Sequence, residues 1–216
     1  MKTAPTMPTI RKGRKFAQVL DGARVIFMRD GFEGASVDEI SKVAGVSKAT
    51  LYSYFPDKRL LFLEVVRGEC AHRADAAEKP LQGSASAREM LIAAGNRIVD
   101  FIVSDFGVAM FRFGAAEGQR FPEIGRNFYE TGPMLLRQRL VGHLREFCVR
   151  GELAIEDFDL AADQFVELCK VDIQSRLILG VSTRISTSDR NRTINGAVDM
   201  FLARYGVSSS APERCP

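Results

Sequence analysis

Apolar residues recur at helical spacing along nearly the whole chain of 216 residues, and we find no convincing run that alternates apolar and polar residues as a half-buried strand would. The first stripe follows the i, i+3, i+4, i+7 rule and consists of Phe16, Val19, Leu20, Ala23, Ile26 and Phe27. Comparable stripes follow as far as Tyr205. Helices of this kind bury their stripes against other helices, so we predict an all-α fold.

Composition is that of a globular chain, with 46% hydrophobic and 26% charged residues. The longest apolar stretches fall far short of the roughly 20 residues that a membrane span needs. The basic segment 1–15 lacks the apolar core of a secretory signal. The four cysteines form no CxxC pair and have no histidine cluster nearby. We therefore expect a cytoplasmic protein with reduced thiols, and neither a membrane segment, a metal nor a cofactor.

Positive charge is concentrated in the first quarter of the chain. Residues 1–60 contain 11 Lys and Arg against 6 Asp and Glu, a net charge of +5, whereas the remainder has a net charge of −2. Two explanations are open at this point. The segment either binds a polyanion such as nucleic acid, or it is a solvated basic tail around residues 11–15.

Two short helices joined by a glycine turn are predicted after the first stripe, which Gly31 ends. Ser36 followed by Glu39 has the pattern of a capping box. Gly45 then ends that helix, and Ser47 is a second N-cap for a helix over residues 48–54. The expected inner face of the first short helix is Val37, Ile40, Val43 and Ala44. This arrangement is a helix-turn-helix.

Longer helices follow. One is predicted from Asp57 to Glu78, apolar almost all round in its first two turns, which is typical of burial between two units. Residues 79–84 have the composition of a linker. Further amphipathic helices are predicted over residues 91–102, 106–117, 122–130, 136–147, 161–173 and 194–205.

The segment 35–60 reads ASVDEISKVAGVSKATLYSYFPDKRL and closely resembles the DNA-binding signature of TetR/AcrR-type transcriptional regulators. The resemblance extends over residues 14–62. It implies DNA contacts, mainly to phosphates, from Ser36, Ser47, Thr50, Tyr52, Tyr54 and Lys58. It also places Lys48 toward guanine and Ala49 toward a thymine methyl group. Simpler roles are open for some of these: Ser36 and Ser47 are N-caps with or without DNA, and Tyr52 can pack with its hydroxyl exposed.

Residues 106–153 resemble the AefR-like subgroup of the same family, whose C-terminal domains dimerise and bind effectors. Aromatic residues are frequent there, and the expected effector contacts are Phe113, Phe128, Phe147 and Phe165; plain core is the alternative for each. Asp172 lies on the stripe of Ala161, Phe165 and Leu168, where it either orients a ligand or pairs with Arg176. The last two helices are expected to form a four-helix dimer interface with their copies, internal burial being the alternative.

Four segments result: a basic arm (1–13), a three-helix DNA-binding domain (14–60), a helical effector and dimerisation domain (61–206) and a disordered tail (207–216). We expect a homodimeric repressor that binds double-stranded, pseudo-palindromic operator DNA and is released by a small, mainly apolar effector through the helix 57–78. Alternatives are a DNA-binding protein without an effector and an all-α enzyme. The enzyme is disfavoured because His72 and His143, the two histidines, have no triad-like spacing. No catalytic residue is assigned, and the effector, operator and target genes are not encoded in any motif.

Overall fold

The computed structural model describes residues 13–81 and 84–207, with the backbone alone for residues 73–81, and confirms the all-α fold. The described residues form eleven helices: α1 (Arg14–Gly34), α2 (Val37–Ala44), α3 (Lys48–Tyr54), α4 (Lys58–Leu81), α5 (Ala87–Val103), α6 (Asp105–Gly118), α7 (Pro122–Thr131), α8 (Pro133–Val149), α9 (Phe158–Lys170), α10 (Ile173–Ile178) and α11 (Thr187–Tyr205). The predicted basic arm and tail lie outside the described residues, except for Gly13 and Val207.

Serine side chains cap the N-termini of the two short helices at the predicted positions. Ser36 Oγ accepts a hydrogen bond from the backbone N–H of Glu39 at 3.1 Å, and Ser47 Oγ accepts one from the N–H of Thr50 at 3.1 Å. Each cap satisfies one of the donors that the first turn of a helix leaves without a partner. The helix-turn-helix prediction is confirmed.

Glycine conformation shapes the ends of the first two helices. Gly31 has φ 71° and ψ −176°, which puts a kink in α1 three residues before its end. Gly45 has φ 65° and ψ 34° and ends α2 in the left-handed region. Residues with a Cβ rarely adopt these conformations, so glycine is the residue that each position needs.

The first compact unit ends at Gly68 and is built on the packing of α1 against α2. A Cβ added at Gly22 of α1 would stand 2.7 Å from the backbone nitrogen of Ala44 in α2, so the two helices cross closer than any side chain allows. The buried apolar residues of this unit are Phe16, Val19, Ala23, Ile26, Phe27, Ala35, Ile40, Ala44, Leu51, Phe55, Leu61, Phe62, Val65 and Val66.

The inner face of α2 differs from the predicted one. Ile40, Ser41 and Ala44 are buried, whereas Val43 is 50% exposed. The crossing at Gly22 turns Ala44 toward α1, and Val43 precedes it by about 100° of helix rotation, so it points to solvent. The prediction for Val43 is therefore wrong.

The first turns of α4 belong to the first unit, which extends beyond the predicted boundary at residue 60. The Phe62 ring packs edge-to-face on Phe27, with centroids 5.0 Å apart, and also contacts Phe32. The second unit begins at Glu69, so the division falls inside α4. Helix α4 also continues to Leu81, into the segment that composition marks as a linker, because linker-like composition does not by itself end a helix.

The second unit has its core among α5, α8, α9 and α11. Most of the apolar residues on the last two helices that suggested pairing with a second copy are less than 9% exposed in this one chain: Ala161, Ala162, Phe165, Cys169, Ile173, Ile194, Ala197, Val198, Phe201 and Tyr205. Val166 and Leu168, which belong to the same set, are partly buried. Burial accounts for these residues without a second copy, which favours the internal-burial alternative for them. A dimer interface formed by the last two helices stays a prediction. Within the part of the chain that the structure describes, no helix has the length and apolar character of a membrane span.

Exchanging Gly22 for alanine tests the close crossing of α1 and α2. We expect Gly22→Ala to lower the free energy of unfolding by about 2 kcal/mol, because the new methyl group overlaps the α2 backbone. Gly68→Ala is the matched control: it lies in α4 with no atom within 4 Å of its added Cβ. The control should gain about 0.5 kcal/mol from helix propensity. Urea unfolding of both variants measures the difference, and equal stabilities would contradict the close crossing.

Candidate nucleic-acid interface

One face of α3 presents three of the side chains predicted to contact DNA, Lys48 and Ala49 at base edges and Tyr52 at phosphates. Lys48, Ala49 and Tyr52 are all exposed, Tyr52 by 48%, whereas Leu51 on the opposite face is buried. Leu51 anchors the helix in the core of the first unit and leaves the other face to solvent. A helix held in this way can place its N-terminal residues in a major groove.

Hydroxyl groups surround the start of this helix. Besides its capping bond, Ser47 Oγ lies 2.9 Å from Thr50 Oγ1, so one of these two hydroxyls donates to the other. The hydroxyl that accepts keeps its own proton for another acceptor, and so does the hydroxyl of the cap Ser36. The capping role of both serines is observed. It leaves Ser36, and whichever of Ser47 and Thr50 accepts from the other, able to donate to phosphate oxygens.

Tyr54 is partly buried. The Tyr54 ring packs edge-to-face on the Phe16 ring of α1, with centroids 5.7 Å apart. The Phe55 ring stacks on the Phe16 ring as well, with centroids 5.4 Å apart. This packing holds the end of α3 against the start of α1. Phosphate contact through the Tyr54 hydroxyl stays a prediction, as do the contacts of Tyr52 and Thr50.

Lys58 is engaged within the protein, which differs from the predicted phosphate contact. Its ammonium group donates hydrogen bonds to the backbone carbonyls of Phe32, at 2.8 Å, and Ala35, at 3.1 Å. It also lies 4.4 Å from the centroid of the Phe32 ring. These acceptors flank the turn that leads into Ser36, so Lys58 holds the connection between α1 and α2. Sequence spacing could not reveal this because the contacts span 23 and 26 residues.

Two ion pairs engage the acidic side chains of α2. Arg29 of α1 donates to Asp30 and, at 3.0 Å, to Glu39 of α2. Hydrogen bonds to Asp30 and then to Glu39 raise the pKa of Arg29 above its usual value. Asp38 pairs with Lys48, with 2.5 Å between Oδ1 and Nζ. Asp38 is not among the residues predicted from the sequence, because nothing in a spacing of ten residues predicts that contact.

The predicted effector contacts lie in two places in the second unit. Phe147 and Phe165 are 1% and 0% exposed and belong to the main core, where Phe165 packs edge-to-face on Phe201. Phe113 is buried in α6, and Phe128 of α7 is partly buried and lies against Gly114. This packing favours the plain-core alternative for Phe147 and Phe165, and effector contact by any of the four stays a prediction.

Asp172 is not on an apolar helix face. Helix α9 ends at Lys170, and Asp172 precedes α10 with φ 63°, its side chain 59% exposed. The apolar stripe of α9 does not continue to Asp172, because the helix breaks after Lys170. The prediction that Asp172 lies on this stripe is therefore wrong. The Asp172 carboxylate accepts a hydrogen bond from the guanidinium group of Arg176, with 3.4 Å between Oδ2 and Nη1. Pairing with Arg176 is the simpler of the two roles considered for Asp172.

An open groove of about 760 Å³ runs along the outer side of α9 and α11. Its apolar lining includes Leu160, Val171 and Met200, which are 51%, 57% and 63% exposed. Asp172 also lines this groove, whereas the four predicted phenylalanines do not. Phe201 and Tyr205 of the core also line the groove, so it adjoins the aromatic core without including the four predicted phenylalanines.

Two family models match the chain. The model described as bacterial regulatory proteins of the tetR family matches residues 19–65, and the model described as AefR-like transcriptional repressor, C-terminal domain, matches residues 89–207. The first match contains α2, α3 and the start of α4. The second covers the aromatic core and the groove.

Individual relatives agree with these matches. The HTH-type transcriptional activator FasR of Mycolicibacterium smegmatis is 31% identical over 121 residues, which are 56% of this chain and 50% of that protein. The chain thus aligns with about half the length of this curated relative. A TetR-family regulator structure from Mesorhizobium loti has a TM-score of 0.82 at 27% identity, and the structure of the flavonoid-responsive regulator FrrA has 0.70 at 32%. Each alignment covers 92% of this chain and 100% of the other.

Salt dependence separates the two roles of Lys58. If its ammonium group holds the α1–α2 connection, Lys58→Met weakens DNA binding without changing the slope of log K against log salt concentration. Loss of a phosphate contact would instead reduce that slope by about 0.9. Fluorescence anisotropy with a 30-base-pair duplex from 50 to 300 mM salt, roughly the range in which such slopes are measured, gives both quantities. A slope reduced by about one unit would show instead that Lys58 contacts a phosphate.

Proposed function

Because the chain belongs to the TetR family of bacterial regulatory proteins, with an AefR-like C-terminal part, we propose that it is a cytoplasmic repressor that binds pseudo-palindromic operator DNA as a homodimer and is released by a small, mainly apolar effector. Family membership makes it a DNA-binding transcriptional regulator and not an enzyme. The observation that carries the finer proposal is the exposed face of α3, which presents Lys48, Ala49 and Tyr52 beside the capping hydroxyl of Ser47.

This face suits base reading in the major groove. Lys48 supplies N–H donors for guanine O6 and N7, and the Ala49 methyl group is of a size to contact a thymine methyl. The hydroxyl of Ser36, and the hydroxyl of Ser47 or Thr50 that accepts from the other, are donors for phosphate oxygens on either side. Specificity and register would thus come from separate groups of the same short segment.

The groove along α9 and α11 supports a homodimer. Its exposed apolar residues are Leu160, Val171 and Met200, and its rim carries both acidic side chains, such as Asp163 and Glu167, and the basic Arg204. A surface with both signs of charge can complement itself across a two-fold axis. Two recognition helices related by that axis would read half-sites about 34 Å apart, or a multiple of that spacing.

An apolar effector fits the composition of the second unit. Phe113, Phe128, Phe147 and Phe165 supply aromatic surface in α6 to α9. The related FrrA is by its name a flavonoid-responsive regulator, which favours aromatic compounds as the first class to test. Among the described helices, α4 alone has residues in both units, so we propose that it carries the effector-dependent change. The effector can shift the equilibrium between the DNA-binding conformation and the released conformation only by its difference in affinity for the two.

Repression is the direction we propose because the AefR-like family is described as one of repressors. The FasR relative is an activator by name, so activation is the second candidate. The two differ in what bound protein does to transcription from a promoter that carries the operator. Single-round transcription in vitro with and without the protein distinguishes them.

Selection from a random duplex pool tests the DNA-binding part. We expect a pseudo-palindromic sequence to be enriched and Lys48→Ala with Tyr52→Ala to lose roughly 1–3 kcal/mol of discrimination for each base contact removed. The matched control is Arg126→Ala with Tyr129→Ala, which removes an exposed cation and an equally exposed tyrosine from α7. Selective binding that survives in the α3 variant would contradict the assignment.

A panel of flavonoids tests the effector part. A flavonoid that binds, present at about 100 times its Kd, should add about 2.7 kcal/mol to the free energy of unfolding and release the selected duplex.

Charge placed in the groove tests the dimer. Met200→Glu should weaken the dimer about thirtyfold or more, because the carboxylate would be buried between apolar surfaces. Val149→Glu is the control, since Val149 is 90% exposed and lines no part of the groove. Sedimentation equilibrium gives the masses. A Met200→Glu protein as dimeric as the control would place the interface elsewhere.

A further inference from the structure

The ion pair between Asp38 and Lys48 joins the two helices of the helix-turn-helix. Lys48 is the first residue of α3 and Asp38 the second of α2, and their charged atoms lie 2.5 Å apart. Both side chains are exposed, by 56% for Lys48 and 69% for Asp38. Exposed pairs contribute little to folding stability, so this pair opens easily when another partner competes for either group.

Helix polarity explains why the pair forms. The first turn of a helix carries partial positive charge, which disfavours Lys48 at the start of α3 and favours Asp38 at the start of α2. Glu39, the neighbouring carboxylate of α2, already accepts from Arg29. Asp38 is thus the α2 carboxylate placed to offset the charge of Lys48.

The number of donors on Lys48 decides what the pair allows. An ammonium group has three N–H donors, of which Asp38 takes one. The other two can reach guanine O6 and N7, which are neutral acceptors. A guanine edge and the Asp38 carboxylate can therefore share the same ammonium group.

A phosphate oxygen is a different partner. It carries a full negative charge, and a phosphate bound to Lys48 would stand close to the Asp38 carboxylate. Contacts of lysine with phosphate supply most of the affinity for DNA of arbitrary sequence. Asp38 therefore penalises sequence-independent contacts of Lys48 while tolerating a base contact, which is how repulsion produces specificity.

The geometry points to Asp38 as a specificity-determining residue that suppresses binding of Lys48 to DNA phosphates. This inference rests on the proposed function, in which Lys48 reads a guanine. Asp38 itself contacts no DNA group in this account and acts through Lys48. Its removal should therefore tighten binding to unrelated DNA more than binding to the operator.

The experiment compares two duplexes of equal length: one selected by the wild-type protein from a random pool, and one with the same bases scrambled. For Asp38→Asn we expect the scrambled duplex to bind about threefold more tightly and the selected duplex to change by less than about twofold. The salt slope for the scrambled duplex should steepen by about 0.9, for one added phosphate contact. Asp38→Glu, which keeps a carboxylate, should restore discrimination.

Two further variants isolate the pair. In a Lys48→Met background, Asp38→Asn should change neither duplex, because no ammonium group is left to release. Asp21→Asn removes the same charge from an exposed position of α1 and leaves the pair intact. Equal tightening of both duplexes, weaker binding to both, or the same effect from Asp21→Asn would overturn the inference. A wild-type protein that selects no duplex would overturn the proposed function as well, whereas selection unaffected by Asp38→Asn overturns this inference alone.

Discussion

The close crossing of α1 and α2 at Gly22 and Ala44 is the constraint on which the exposed face of α3 depends. With no side chain at Gly22, the α2 backbone lies against α1, and Ile40, Ser41 and Ala44 are turned inward. Lys58 and the Arg29–Glu39 pair hold the same two helices from the ends. The position of α3 follows, because only the turn after Gly45 separates it from α2. A small residue in the core thus sets the direction of side chains on the surface.

The parts of the fold that the sequence predicts correctly are those that depend on neighbours within a few residues. Caps at Ser36 and Ser47 are examples, since each serine accepts from an N–H three residues ahead. Errors arise where distant parts of the chain decide. Val43 fits the helical stripe but is exposed by the way α2 crosses α1, and Asp172 lies beyond a break in α9. The site shows the same division: the exposed face of α3 follows from periodicity, whereas the partners of Lys48 and Lys58 do not.

Net charge describes the first unit incompletely. The excess of +5 over residues 1–60 suggests a set of free cations, yet Arg29, Lys48 and Lys58 all have partners within the protein. Arg29 and Lys58 hold helices together, and Lys48 is paired through an exposed contact that another group can replace. Attraction to a polyanion therefore depends on which of these contacts exchange, and the total charge does not reveal that.

The core of the second unit bears on how any ligand could enter it. Phe147 and Phe165 leave almost no surface accessible, and their neighbours from α5, α8, α9 and α11 fill the space around them. A molecule that binds among these rings must bind another packing of the same helices. The rarity of that packing then limits its apparent affinity: a packing populated at about 1% weakens binding about a hundredfold. Substitutions deep in this core, outside the helix-turn-helix, would thus tune the concentration at which such a regulator responds.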